Sequence, residues 1–358
     1  MVKEYSCENC GQIFSQKGHF TNHQKRKRPC KPVKNKVIEE KVQEKIHELV
    51  QNGDIEIKNT NLKSNSKQTS INMIDDNSTI VEINDEIAKV ETLLKTTKNS
   101  LKPIIKWSGG KKDEIKLFEK YIPEYDTYIE PFIGGGGLYF HLAPEKAVIA
   151  DVHRELICLY NAIKNEQMDE IYEFMVNHPN EEKTYYEVRD NMDINSDLDR
   201  AKQFYYQRKT CFRGMLRYNK NGKFNIPYGR YKTCNYEDLK NKDYENLLKR
   251  TDIIRGSFEE IFDKYNDENN FVFLDPPYDS EFTDYGYCNF GKEEQKKLAE
   301  CFKNTKNKCL MIIGKTDFIV DLYKDYIVDE YDKKYKFKIH SNRVGSEINT
   351  KHLVIKNY

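Results

Sequence analysis

Aromatic residues are missing from the whole stretch between Phe20 and Trp107, and the later aromatics all fall beyond that single tryptophan. A segment without Phe, Tyr or Trp has little with which to build a core, so roughly 33–100 reads as a connector rather than a domain. Net charge is missing too. Lys plus Arg number 59 and Asp plus Glu 58, giving +1. Bulk composition therefore predicts neither a nucleic-acid nor a membrane partner, and any basic patch must be local. No apolar run approaches the roughly 18 residues that cross a bilayer, and the start, MVKEYSCENC, lacks the apolar stretch of a secretory signal. The nine cysteines are an odd number. Without such a signal they argue against a disulfide scaffold and for thiols or metal ligands in an intracellular protein. What is present is a chain of 358 residues, enough for about two domains. With 38% apolar and 33% charged residues, part of it is not expected to pack.

The middle of the connector, Gln51 to Thr79, is dense in Asn, Ser, Thr and Lys and reads as disordered. Its flanks carry helical spacing: Ile38, Val42, Ile46 and Leu49 on one side, and Ile83, Ile87, Val90 and Leu94 on the other. The second set is spaced like a short coiled-coil seam, but two heptads are few, so a solvated helix is expected, with a self-association helix as the alternative.

Ahead of the connector, two residues separate Cys7 from Cys10, and twelve more lead to His23. Thiolates on a turn with an imidazole on a following helix suit tetrahedral zinc. Phe14 and Phe20 fall where a small core would sit. The segment resembles the two-cysteine, two-histidine finger family, which implies a ββα unit over 1–32 with one structural zinc ion. The fourth ligand departs from that pattern. Cys30, six residues after His23, is the preferred candidate and His19 its competitor. From Gln16 to Lys36 there are eight Lys or Arg and no acid, a local patch suited to phosphates. Docked like its relatives, the finger would present Gln16, His19 and Asn22 to base edges.

Four signals follow in order after residue 100: KWSGGK (Lys106 to Lys111), YIEPFIGGGGLYF (Tyr128 to Phe140), AVIAD ending at Asp151, and FVFLDPPY ending at Tyr278. Glycines after a strand let the backbone approach a ligand, and the next helix N-terminus favours its negative groups. An acid at the end of the following strand, here Asp151, suits two ribose hydroxyls. The string Asp275-Pro276-Pro277-Tyr278 adds a carboxylate, a prolyl carbonyl and an aromatic ring at one strand end. An exocyclic amino group needs two acceptors to hold its hydrogens and aim its lone pair. Asp275 and the Pro276 carbonyl can supply them, and Tyr278 can stack on the base. Such a base must be flipped out of a duplex.

With these motifs in this order, 101–358 resembles the Dam-type DNA adenine methyltransferases. The resemblance implies a Rossmann-like α/β fold whose mostly parallel sheet has seven strands, interrupted at about 160–250 by a mostly helical target-recognition insertion. It implies S-adenosylmethionine as the methyl donor and double-stranded DNA as the partner. Trp107 and Lys111 match cofactor-holding positions, with Lys111 facing the methionine carboxylate. Phe132 and Gly134 match the cofactor loop, Asp151 the ribose acid, and Asp275, Pro276 and Tyr278 the catalytic group. Where the family often has Asp-Phe on the strand before DPPY, this chain has Ser257-Phe258. The serine can still accept a hydrogen bond, and Phe258 can still pack on the cofactor's adenine.

Cys211 to Lys232 mixes Arg and Lys with aromatics around the turn Asn221-Gly222 and reads as a β-hairpin. It resembles the recognition hairpin of the same family. Arg217 then matches a guanine-reading arginine, Pro227 a proline at a base edge, and Arg230, Tyr231 and Lys232 phosphate contacts. GATC is the implied site, although Arg213 stands where the family more often has a small polar residue. A monomer is expected, working either beside a cognate restriction endonuclease or as an independent DNA mark. The alternatives are a non-catalytic DNA-binding regulator on a degenerate fold, and an amino methyltransferase for cytosine N4 or RNA. The remaining cysteines show no ligand spacing.

Overall fold

The computed structural model describes residues 5–6, 13–14, 17–25, 101–278, 290–334 and 349–358. The chain divides into two units, Met1–Asn99 and Ser100–Tyr358. In the first, β1 (Tyr5–Ser6) pairs antiparallel with β2 (Ile13–Phe14), and α1 (Lys17–Gln24) follows. His23 is buried on α1, whereas His19 and Asn22 are exposed. Cys7, Cys10, Gln16 and Cys30 lie outside the described residues, as do the connector and its helical spacings. Among the described residues, no helix is long and apolar enough to cross a membrane.

The second unit opens with the short α2 (Ile115–Phe118), then alternates β3 (Thr127–Glu130), α3 (Gly137–Leu142), β4 (Ala147–Asp151) and α4 (Arg154–Lys164). Three helices follow, α5 (Met168–Asn177), α6 (Glu182–Asn191) and α7 (Asp197–Thr210). A long loop then leads to α8 (Asp243–Lys249). Alternation resumes with β5 (Thr251–Arg255), α9 (Phe258–Lys264), β6 (Asn270–Leu274), α10 (Lys292–Asn304), β7 (Lys308–Gly314) and α11 (Asp317–Tyr323). Two long strands, β8 (Ile327–Lys334) and β9 (Asn349–Lys356), close the unit.

Among the described residues, the seven strands of the second unit join one sheet in the order β5-β4-β3-β6-β7-β9-β8. The first five are parallel, and β9 runs antiparallel to both β7 and β8. The buried strands are near-continuous apolar runs, as a sheet covered on both faces requires. Their side chains alternate between two cores. Phe271, Phe273, Leu310 and Ile312 pack on one face with α4 and α7, while Val272, Leu274, Met311 and Ile313 pack on the other with α9, α10 and α11. Helix α10 shows why it docks: Gln295, Leu298, Ala299 and Phe302, at helical spacing, are its buried stripe.

The expected hairpin at 211–232 forms only in outline. Two isolated antiparallel bridges, Cys211 with Tyr228 and Tyr218 with Phe224, replace a continuous ladder. The backbone between them turns through positive φ at Arg213 and Gly214, and Pro227 has no N–H to donate to a ladder. The tip does close at the expected place. The Asn219 carbonyl accepts from Gly222 N–H, and its side chain accepts from the Asn221 and Lys223 amides.

Candidate active site

Strand order reverses at β3: the chain runs outward through β4 and β5, then returns to β6 on the other side. In open α/β sheets the crevice beyond the strand C-termini at such a reversal is where ligands bind. The loop after β3 carries Phe132 and Gly134, and Asp275 directly follows β6. Both sequence motifs therefore converge on this crevice.

Lys111 Nζ lies 2.5 Å from Asp275 Oδ1 and also donates to the Gly109 carbonyl at 2.9 Å. The sequence reading aims Lys111 at a methionine carboxylate; in the structure its ammonium meets Asp275. A cation only 2% exposed needs a counter-charge close by. Burial pushes the Asp275 carboxyl up, and the Lys111 charge opposes that rise. Lys111 Nζ also sits 5.1 Å from the centre of the Tyr278 ring. His352 meets that ring edge-on at 5.4 Å. The neighbouring Pro277 carbonyl accepts from buried Gln295 of α10 at 2.7 Å, which anchors the turn.

Beneath this pair is a carboxylate that the sequence reading missed. Glu114 is buried and accepts from His352 Nδ1 at 2.7 Å, from the Tyr331 hydroxyl at 2.9 Å and from the Lys333 ammonium. Burial alone would raise its pKa. The His352 hydrogen bond and the Lys111 and Lys333 cations outweigh burial and hold it at about 2. A third acid, Glu130, ends β3 with the Tyr128 hydroxyl donating to it at 2.6 Å. Burial, with some help from the Asp275 charge, pushes Glu130 well above the usual carboxylate range. An acid within the otherwise apolar run YIEPF was the available signal for Glu130. Glu114 and His352, 238 residues apart, gave none.

The glycine loop after β3 packs against the KWSGGK segment. Gly134 has φ of +45°, and a Cβ there would lie 2.6 Å from Trp107 Nε1. The loop makes a close approach to the tryptophan, which it clasps. The Tyr160 hydroxyl holds the Gly134 carbonyl at 2.7 Å. Asp151 accepts from the Gly134 amide at 3.1 Å and from the His153 amide at 2.9 Å. Burial lifts its pKa to about 6 against those amide bonds. Phe132, Phe258 and Phe290 gather at mutual centroid distances of 5.6 to 5.8 Å. Ser257 caps α9, its hydroxyl accepting from Glu260 N–H at 3.4 Å.

The 211–232 loop is supported from below and exposed above. Tyr185 and Arg189 of α6 donate to the Ile226 carbonyl, and Asn180 donates to the Tyr231 carbonyl. Arg208, fully buried at the end of α7, donates to the Met215 and Lys106 carbonyls and lies over the Trp107 ring. It ties the loop to the KWSGGK segment. Arg213, Arg217, Pro227, Arg230 and Lys232 are exposed on the loop, and Tyr231 is half-buried beside Lys106. Arg217 is pre-set by Asn225, whose side-chain oxygen accepts from Nε at 2.8 Å. Arg230 faces Glu182 at 3.2 Å. The described cysteines are free, and burial raises their thiol pKa values.

A fold with a carboxylate, a prolyl turn and a ring at its switch point, flanked by an exposed basic loop, defines a nucleotide-handling transferase. Residues 107–340 match the family described as D12 class N6 adenine-specific DNA methyltransferase. The type II methyltransferase M.CviBI of Paramecium bursaria Chlorella virus NC1A is 62% identical over 261 residues, covering 72% of this chain and all of that relative. The type II methyltransferase M.MjaIII of Methanocaldococcus jannaschii is 34% identical, covering 62% of this chain and 86% of its own. A DNA adenine methylase of Vibrio cholerae is 29% identical over 56% of this chain and 76% of its own. The chain belongs to the D12 class of N6 adenine-specific DNA methyltransferases, enzymes that place a methyl group on the N6 amine of adenine in DNA.

The crevice fits S-adenosylmethionine. Three phenylalanines offer apolar faces to a flat adenine, and the Asp151 carboxylate keeps accepting capacity beyond its amide bonds for a ribose hydroxyl. The buried Glu130 and the partly exposed Asp275 carboxyl groups suit a cationic ligand.

Proposed function

We propose that the second unit methylates a flipped-out adenine within a short duplex site, with Asp275, Pro276 and Tyr278 as the catalytic group. The observation that carries this reading is the junction of Lys111, Asp275 and Tyr278 at the sheet's switch point. Trp107, Lys111, Phe132, Gly134, Asp151 and Phe258 form the cofactor side. S-adenosylmethionine supplies an already activated methyl group, so the protein's task is alignment. Positioning of this kind is worth roughly 7–11 kcal/mol. Asp275 and the Pro276 carbonyl hold the amine hydrogens and aim its lone pair. Tyr278 stacks on the base. Lys111 keeps Asp275 oriented, and the burial that raises the Asp275 carboxyl makes it a better first acceptor for the departing proton.

Arg217 reads a guanine through two parallel hydrogen bonds, Pro227 meets a base edge, and Arg230, Tyr231 and Lys232 face phosphates. Helices α5 to α7 and the 211–232 loop act together as the inserted recognition domain. GATC is the site we assign. The type II class of the viral and archaeal relatives favours a restriction-modification setting, with a cognate endonuclease as partner. The first unit is read as a finger whose zinc is held by Cys7, Cys10, His23 and Cys30. The β1-β2-α1 order and the buried His23 support it. The exposure of His19 favours Cys30 as the fourth ligand. Among the described residues no cluster of three ligating side chains is placed to hold a metal, and three of the four assigned ligands lie outside them. Residues 33–100 tether this unit, so a weak finger would raise local DNA concentration and slow dissociation.

The test is methyl transfer from labelled S-adenosylmethionine to unmethylated duplex DNA, with Asp275→Ala alongside, followed by digestion to nucleosides. N6-methyladenine from the parent protein alone is expected. Equal product from both proteins would remove Asp275 from the mechanism.

A further inference from the structure

His153 stands between the cofactor crevice and the 211–232 loop, and no sequence motif marks it. It lies two residues beyond β4 and is the N-cap of α4, its Nδ1 accepting from Leu156 N–H at 3.2 Å. Its own amide donates to Asp151, the acid assigned to the cofactor ribose. On the other edge of the ring, Nε2 lies 2.7 Å from the Tyr218 hydroxyl. Burial, with Arg208 close by, holds the ring pKa at about 3, so the imidazole is neutral. A neutral imidazole has one donor and one acceptor. Because Nδ1 accepts from the helix, the proton is on Nε2, and Nε2–H donates to the Tyr218 oxygen. Trp107 meets the ring edge-on at 5.6 Å, and Phe204 and Tyr218 pack against it at 5.2 and 5.6 Å. Tyr218 in turn makes the bridge to Phe224 that shapes the loop beside Arg217.

We infer that His153 is a positioning residue that couples the two substrates: occupancy of the cofactor crevice sets the pose of the DNA-reading loop through the His153–Tyr218 hydrogen bond. This inference rests on the assignment of that loop to DNA recognition. The path is short and continuous. A ligand on Asp151 acts on the carboxylate that the His153 amide holds, and the next hydrogen bond along the same ring reaches the loop. The ring is walled by Trp107, itself clasped by Gly134, so it has little room to move independently of the cofactor loop. Its single tautomer makes the link directional: turning the ring would break the helix cap.

The two partners can be tested from opposite sides. His153→Asn keeps an N-cap acceptor but is too short to reach Tyr218. Tyr218→Phe keeps the ring and removes the acceptor. Duplex DNA affinity is measured for the full chain with and without S-adenosylhomocysteine, next to S-adenosylhomocysteine affinity itself and the thermal midpoint. In the parent protein the cofactor product should tighten DNA binding on the order of tenfold, a usual size for coupled sites. Each variant should reduce that factor to about twofold or less, and the double variant should be no worse than either single, as members of one link behave. Turnover should show a raised KM for DNA with kcat at saturating DNA nearly kept, a split that general loss of stability does not produce. An unchanged coupling factor in both variants overturns the inference, as does a parent protein with no coupling. Arg217→Ala separates the two ideas. Weakened DNA binding in that variant, with coupling intact in the other two, overturns the link alone. Undiminished DNA binding by Arg217→Ala overturns the recognition assignment and the link together.

Discussion

Replacing Glu114 by Gln should destabilise the second unit by about 3 kcal/mol at neutral pH. Its carboxyl is held at about 2 against an ordinary 4.5, which favours the charged form by about 3 kcal/mol in the folded state. Glutamine keeps one acceptor oxygen but places an amide N–H₂ among the donors of His352, Tyr331 and Lys333. It also leaves Lys333 without this counter-charge. Trp107 is the only tryptophan and belongs to the second unit, so its fluorescence reports unfolding of that unit. In urea, where slopes of roughly 1–3 kcal/mol per molar are usual, the midpoint should fall by about 1–3 M. The sign with pH is fixed by the depressed pKa. The contribution is complete above about pH 4.5, where the unfolded chain's carboxyl is ionised, and is lost as pH falls towards 2. The gap between parent and variant should therefore narrow in acid. A difference under about 0.5 kcal/mol at pH 7, or a gap that widens in acid, would refute the reasoning; a difference that small is what an ordinary surface change gives.

Asp151, lifted to about 6 by burial, should make S-adenosylhomocysteine affinity fall roughly tenfold per pH unit below that value, and Asp151→Asn should flatten the profile. Titration calorimetry between pH 5 and 8 checks this, and a flat parent profile would remove the carboxylate from the ribose site. Gly134→Ala places a methyl 2.6 Å from Trp107 Nε1 at a backbone φ of +45°, which adds about 1–2 kcal/mol of strain. Trp107 emission should shift and the thermal midpoint drop; neither change would mean the loop does not clasp the indole. The zinc assignment predicts one zinc per chain by elemental mass spectrometry, lost in Cys7→Ala. That variant should also show a shallower salt dependence of DNA binding, since fewer phosphates are neutralised. Equal salt slopes would remove the first unit from the DNA contact.

Local chemistry determined much of this protein from the sequence alone. Apolar strands written as AVIAD and FVFLD could only be buried on both faces. Their terminal acids, Asp151 and Asp275, had to emerge at strand C-termini, where a parallel sheet opens its crevice. Asn219 to Lys223 closed a turn where Asn221-Gly222 predicted one, because a left-handed glycine is a local property. Relations between distant residues were decided by tertiary structure. Lys111 stood out in the sequence within KWSGGK, yet the carboxylate it meets did not, since the counter-charge for a buried ammonium is whichever carboxylate the fold delivers. The glycines after β3 were legible as a close approach, but that they clasp Trp107 depends on where the KWSGGK segment packs. Arg213 and Pro227 broke a ladder that composition favoured, because strand pairing needs both backbones at once. Glu114, His153, Arg208 and His352 carried no motif. Each acquires its role from partners brought together by the sheet order and the helices laid across it, and sequence spacing holds no record of those contacts.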